Sequence, residues 1–253
     1  MRLSIGDCKS RLIEVIIVLI NYGKKRDVRS FLTRALHSIV ESAIRNISGG
    51  LGQRIRYFYY KLRFRSCGKN VRIDEGVIIQ NPESIEIGND VWILPYTILT
   101  GRGSVPIGHN RRIRYRGGIS GSKSCENVLL KIGDQTSIGA YNIIHGYGGL
   151  TMGNKVTTSA KVAIYSFSHA PNDPSCPETV TYANSMVKDA PIACIVSPIV
   201  LEDGVWVGLG AAIFAGRIGK NTFISSHSIV VGDLEENGYA SGNPAKIVKK
   251  RFL

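Results

Sequence analysis

Residues Ile132–Val162 read "IGDQTSIGAYNIIHGYGGLTMGNKVTTSAKV". Apolar residues stand at Ile132, Ile138, Ile144, Leu150, Val156 and Val162, six consecutive positions six apart. That spacing is neither the 3.6 of an α-helix nor the plain alternation of a half-buried strand. It marks hexapeptide repeats, in which short strands wind into coils. One such strand cannot bury its own apolar face, so the coils must stack.

The same step continues on both sides. Upstream, Ile87, Ile93 and Leu99 keep it, as do Ile85 and Val91. Downstream, Leu201, Val207 and Ile213 keep it, and Ile218, Ile224 and Val230 resume it after a one-residue slip. Glycine follows many of these positions, as in "IGND", "IGDQ", "MGNK" and "IGKN". Glycine and asparagine suit tight corners that need positive φ. Two aperiodic insertions interrupt the coils, 100–127 with "RRIRYRGG" and the Pro-rich 170–198. Long insertions in a regular scaffold read as functional loops or disordered segments.

Before residue 70 the pattern is helical. Val28, Phe31, Leu32, Ala35, Leu36, Ile39, Val40, Ala43, Ile44 and Ile47 form one stripe, with Asp27 as N-cap and Gly49-Gly50 as the stop. A second helix places Leu51, Ile55, Phe58, Tyr59 and Leu62 on one side. These stripes are expected to pack on the main domain, with a seat on a membrane surface as the alternative. The expected domains are a basic helical region 1–69, a β-helix 70–236 and a basic tail 237–253.

The formal net charge of +13 is unevenly spread. Residues 1–69 carry a net of +11 and residues 100–127 a net of +5, so the remainder is slightly acidic. Two basic regions imply anionic partners there: a membrane surface, an acidic glycan or a phosphate-rich cofactor. The sequence carries no recognised nucleic-acid motif, so no nucleic-acid partner is expected. Five scattered cysteines without a CxxC pair argue against a disulfide framework and fit a reducing compartment. The longest apolar run, "LIEVIIVLI" at 12–20, is short of the ~20 residues of a spanning helix. The following "NYGKKRDVR" lacks the small-residue cleavage site of an export signal. The expected location is cytoplasmic, with a seat on the inner face of the membrane as an option.

The repeats, the block "VWVGLGAAIFAGRIGKNTFISSHSIV" at 205–230 and the closing "SGNPAKIVKK" at 241–250 resemble the hexapeptide-repeat acyltransferases. Within that superfamily the chain looks most like sugar and polysaccharide O-acetyltransferases. The resemblance covers roughly residues 70–250. It implies a mainly β fold, a left-handed parallel β-helix, a homotrimer, and acetyl-CoA bound between neighbouring subunits. The implied reaction is transfer of acetyl to a hydroxyl of a glycan acceptor, in a polysaccharide or its lipid-linked precursor. No metal is expected.

In that family a histidine near the end of a coil precedes a loop, and a later coil carries a "VWIG"-like segment. Here His169 in "YSFSHA" precedes Trp206 in "VWVG". Taken alone, His169 reads as a solvated loop histidine. In this context it reads as the general base, because histidine's ordinary pKa lies near working pH. Neither a Ser-His-Asp order nor a Gly-flanked nucleophile is present, so direct transfer is favoured over an acyl-enzyme. His145 in "YNIIHGYGG" is the rival, since the related serine acetyltransferases use histidines on two coils. The reading as a hydrogen-bonded residue on the coil face is slightly favoured over it. Asn142 is a candidate for orienting the acceptor, or an ordinary corner asparagine. Trp206, Gly208, Ser226, Lys246 and Lys249 fall where the resemblance places contacts to acetyl-CoA. The lysines read equally as a solvated charge run.

Three alternatives stay open. One is N-acetylation of an amino sugar. Another is a zinc carbonic anhydrase, which shares this fold, although His37, His109, His145, His169 and His227 contain no close pair. The last is a noncatalytic β-helix scaffold.

Overall fold

The computed structural model describes residues 28–101, 112–115, 130–173, 176–180 and 193–252. The run Leu12–Ile20, Asp27, His109 and most of the basic stretch 100–127 lie outside them. The chain separates into two compact units, Met1–Asn46 and Ile47–Leu253. In the first, one helix (α1) spans Val28–Arg45. Leu32, Leu36 and Ile39 of its apolar stripe are exposed.

The second unit is a stack of coils with three parallel faces. Face A holds Ser66–Cys67, Ile85–Ile87, Leu130–Ile132, Leu150–Met152, Ile199–Leu201 and the end of Ala212–Ile218. Face B holds Arg72–Ile73, Trp92–Ile93, Ser137–Ile138, Thr157–Thr158, Trp206–Val207, Phe223–Ile224 and Gly238–Gly242. Face C holds Ile78–Gln80, Ile98–Thr100, Ile143–His145, Ala163–Tyr165, the start of Ala212–Ile218 and Ile229–Val231.

All the registered positions from Ile85 to Val230 named above are buried, none more than 3% exposed. Like residues stack along each face, as Ile79, Leu99, Ile144, Ile164, Ile213 and Val230 do inside face C. Full burial of one such side chain contributes ~1.5–3 kcal/mol. Register partners such as Ile73 and Ile93, or Ile144 and Ile164, lie twenty residues apart rather than eighteen. Each face therefore points two residues inward, such as Leu150 and Met152 on face A. The run of six crosses from the second inward position to the first between Ile144 and Leu150 and never leaves the interior.

Side-chain amides and carboxylates tie the corner between faces A and B. The backbone N–H of Lys69 donates to Asn89 Oδ1, that of Asn89 to Asp134, that of Asp134 to Asn154 and that of Asn154 to Asp203, all at 2.7–2.9 Å. Positive φ there falls on Asn70, Asp90, Gln135, Lys155, Gly204 and Asn221.

The second helix (α2, Gly49–Lys61) covers the first coil; Tyr59 of its apolar stripe packs partly on the core, whereas Leu51, Phe58 and Leu62 turn outward. Gly52, Arg56 and Tyr60 are buried, while Leu51, Phe58 and Leu62 are exposed. A side chain at Gly52 would run into the Ile47 carbonyl, so glycine permits the close approach. Arg56 is 1% exposed, and donates from Nε to the Ile73 carbonyl and from an Nη to that of Ile47, both at 2.8 Å. Those bonds put a cation on the buried side and leave the stripe outside. At the other end, Gly238–Gly242 and Ala245–Lys250 form an antiparallel pair on face B.

Candidate active site

Both insertions leave the stack at the corner between faces C and A. The chain departs after Gly101 and Ser166 and returns at Leu130 and Ser197, one coil further on each time. Ser166 is fully buried and clamps the second departure. Its hydroxyl donates to the His145 carbonyl at 2.8 Å and accepts from the Gly148 N–H at 2.9 Å, while its carbonyl accepts from the Ser197 N–H at 2.9 Å.

From this clamp, Phe167–Ala170 runs antiparallel to Ala193–Val196, which in turn pairs in parallel with Arg112–Tyr115. His169 stands in register with Cys194, and Cys194 with Ile113. The two insertions thus meet in one three-stranded sheet that includes the basic "RIRY" segment. His169 is exposed, with the Phe167 ring edge-on at 5.8 Å. It belongs to a paired strand anchored to the coil, which limits its wander while leaving the imidazole open to a substrate.

His145 ends the face C strand beside the same corner. Its ring lies between Tyr147 at 4.7 Å and Tyr165 at 5.2 Å, nearly parallel to both. Tyr165 stacks on Phe214 at 6.3 Å, which extends the column. His145 Nδ1 is buried with no hydrogen-bond partner among the described residues. Burial among these rings pushes the imidazole below histidine's ordinary value, which favours its neutral form. Phe167 lies 6.1 Å from His145 and 5.8 Å from His169, so one ring separates the two histidines. The sequence reading missed this aromatic column. The signal was available: His145 and Tyr165 share the spacing that stacks Ile144 on Ile164.

Asn142 is inside the coil, 0% exposed. Its amide donates to Thr158 Oγ1 at 2.6 Å and its Oδ1 accepts from the Val162 N–H at 2.8 Å. Both ends of the amide are occupied in tying two coils together.

The five residues proposed for the cofactor gather elsewhere, on face B and its corner with face C. Trp206 projects from face B, edge-on to Phe223 at 5.6 Å; Phe223 meets Tyr239 at 5.0 Å, and Lys249 Nζ lies 5.0 Å over the Tyr239 ring. Gly208 is buried at the corner, where an added Cβ would sit 2.7 Å from both the Ile224 carbonyl and the Ser226 N–H. Ser226 and Lys246 are exposed. His169 and His145 lie at one edge of face C, and Gly208 and Ser226 at the other. A single chain does not bring the two groups together. Among the described residues, no group of three or more His, Cys, Asp or Glu side chains is placed to hold a metal ion.

No protein-family model matches the chain. It is 30% identical over 125 residues to a probable acetyltransferase of Mycobacterium tuberculosis, covering 49% of this chain and 38% of that one. It is 36% identical over 55 residues to a 2,3,4,5-tetrahydropyridine-2,6-dicarboxylate N-acetyltransferase of Staphylococcus aureus, covering 21% and 23%. The chain thus spans well under half the length of these relatives. In structure it is similar to AntD, an N-acyltransferase from Bacillus cereus, solved as its S84C mutant with dTDP-4-amino-4,6-dideoxyglucose and coenzyme A. The TM-score is 0.58 at 22% identity, over 77% of this chain and 88% of AntD. The stacked parallel coils share their fold with AntD, and part of the sequence is similar to acetyltransferases.

Proposed function

We propose that this chain is an acetyl-CoA-dependent O-acetyltransferase that acts on a sugar hydroxyl of a polysaccharide or its lipid-linked precursor. The observation that carries it is the setting of His169: an exposed imidazole on a paired strand, where the chain leaves a rigid stack, in a protein similar to acetyltransferases. His169 takes the proton of the acceptor hydroxyl as that oxygen attacks the thioester carbonyl. The C–O bond forms, the tetrahedral oxyanion collapses, the C–S bond breaks, and the coenzyme A thiolate leaves and is protonated. Backbone N–H groups of the Gly-rich corners serve the oxyanion. The rigid coils align the two substrates, an effect that is worth several kcal/mol (on the order of 7–11 at best).

The donor residues are Trp206, Gly208, Ser226, Lys246 and Lys249, and they lie across face C from His169. A homotrimer closes that gap by setting the donor corner of one subunit against the histidine corner of the next. The outward row of face C supports burial against a second copy, since Ile78, Ile98, Ile143, Ala163, Ala212 and Ile229 follow one another in register. His145, beside the same corner, is assigned to orient the acceptor. The two basic regions suit an acceptor that carries phosphate or carboxylate and sits at the inner face of a membrane.

N-acetylation of an amino sugar is the second reading, favoured by the N-acyltransferase likeness of the fold. Acetyl-CoA turnover against a panel of neutral, amino and phosphorylated glycans, with mass spectrometry of the product, tests both. An acetyl group released by mild alkali is an ester and supports O-transfer; an alkali-stable one is an amide and replaces it. No turnover on any glycan removes the proposal.

A further inference from the structure

We infer that the outward side of α2 is a docking surface for an anionic lipid leaflet. This deepens the proposal above, because it rests on the acceptor being held at a membrane. At 3.6 residues per turn, Leu51, Ile55, Phe58 and Leu62 share one side of the helix. Leu51 is 69% exposed, Phe58 64% and Leu62 89%. An apolar stripe normally faces the core, and this one cannot. The opposite side is bolted to the first coil through buried Gly52, Arg56 and Tyr60. Gln53 Nε2 donates to Asp74 Oδ1 at 2.6 Å and the Tyr57 hydroxyl to the Gly68 carbonyl at 3.1 Å. Rotating the helix to bury these side chains would break all of these contacts.

The stripe is flanked by exposed Arg54 and Lys61, within a region of net charge +11. Apolar side chains with cations beside them are the pattern of a helix lying in the headgroup region. Each Lys or Arg near an anionic leaflet adds ~1 kcal/mol of attraction. A second copy of the chain would bring the same positive charge onto the patch, so lipid is the favoured occupant. Among the described residues no helix is long and apolar enough to cross a membrane, so the contact is one of lying on the surface. The helix is about 20 Å long and covers the end coil, so docking would present the β-helix end-on to the leaflet.

The test is co-sedimentation of the full-length protein with phosphatidylglycerol-rich and with phosphatidylcholine vesicles, without substrate. The wild-type protein is compared with a Leu51→Gln, Phe58→Gln, Leu62→Gln triple variant. These side chains are exposed, so the fold is retained, and circular dichroism and acetyl-CoA affinity confirm it. The expected result is binding to anionic vesicles only, weakened by salt and lowered by about tenfold or more in the triple variant. No binding by the wild-type protein overturns the inference. Equal binding by the triple variant overturns it too and moves the contact to residues 1–46. A change of oligomeric state in the triple variant without lipid overturns it in favour of a protein interface. Acetyl transfer to a soluble glycan is measured separately, so docking and catalysis can fail independently.

Discussion

At the scale of single residues, two histidines beside one corner have different surroundings and different expected defects. His169→Ala should lower kcat by ~10²–10⁴, the usual worth of a general base, with little change in acetyl-CoA affinity. Turnover near the wild-type rate in a folded His169→Ala protein would remove the assignment. His145 offers a pH signature instead. Its imidazole is held below the ordinary value by burial, so below about pH 6.5 the unfolded chain takes up a proton that the folded chain refuses. Folding stability therefore falls as pH drops through and below that value. Thermal melts from pH 7.5 to 5 should show a smaller fall for His145→Gln than for wild type; identical slopes would mean that His145 titrates freely. Cys67 is a third case, with burial pushing its thiol up to about 11. The position of His169, between a regular strand and an insertion, was legible in the sequence. Its partner strand was not, because Ala193–Val196 lies inside the Pro-rich insertion 170–198 and has no periodic signal to align it.

At the scale of elements, the coil is the unit that sequence displays best. Most inward positions are apolar, so the step of six is written into the composition of every face. The twenty-residue coil was hidden, because the track slips between two inward positions that are equally buried. Asn142 shows what the apolar pattern cannot display. It occupies an inward position and joins two coils through its amide. Asn142→Val should leave the Val162 N–H and the Thr158 hydroxyl short of a partner, at a cost of ~1–3 kcal/mol. Tm should fall by about 2–10 °C with acceptor KM unchanged. A raised KM at constant Tm would return Asn142 to the acceptor pocket. The same limit explains α2. Its stripe predicted an inward apolar side, but Arg56 and Tyr60 are fully buried, and an arginine held inward by bonds to two backbone carbonyls is not foreseen from hydropathy.

At the scale of the whole molecule, the separation of the histidine corner from the donor corner makes a specific demand. If neighbouring subunits share each site, defects on the two sides of face C should complement one another. Trimers mixed from His169→Ala subunits and Ser226→Trp subunits, the latter filling the exposed donor corner, should regain activity that neither parent has. An inactive mixture of verified hetero-oligomers would place each site within one chain. Light scattering that finds an active monomer would do the same more directly. Charge was legible at this scale and its placement was not: +11 before residue 70 is a property of composition, whereas the outward turn of α2 is a property of packing.

The shared exit corner has a consequence for how such a protein changes over generations. Adjacent strands of a face are ~4.8 Å apart, so an excursion leaving at Gly101 or Ser166 comes back within one strand spacing of its origin, whatever its length. Closing a longer loop is then cheap, about 0.6 kcal/mol for each doubling. Insertions can lengthen, shorten or be exchanged while every stacked isoleucine stays in register. The corner is a socket, and a lineage can change the surface presented there by replacing what is plugged into it without renegotiating the stability of the stack.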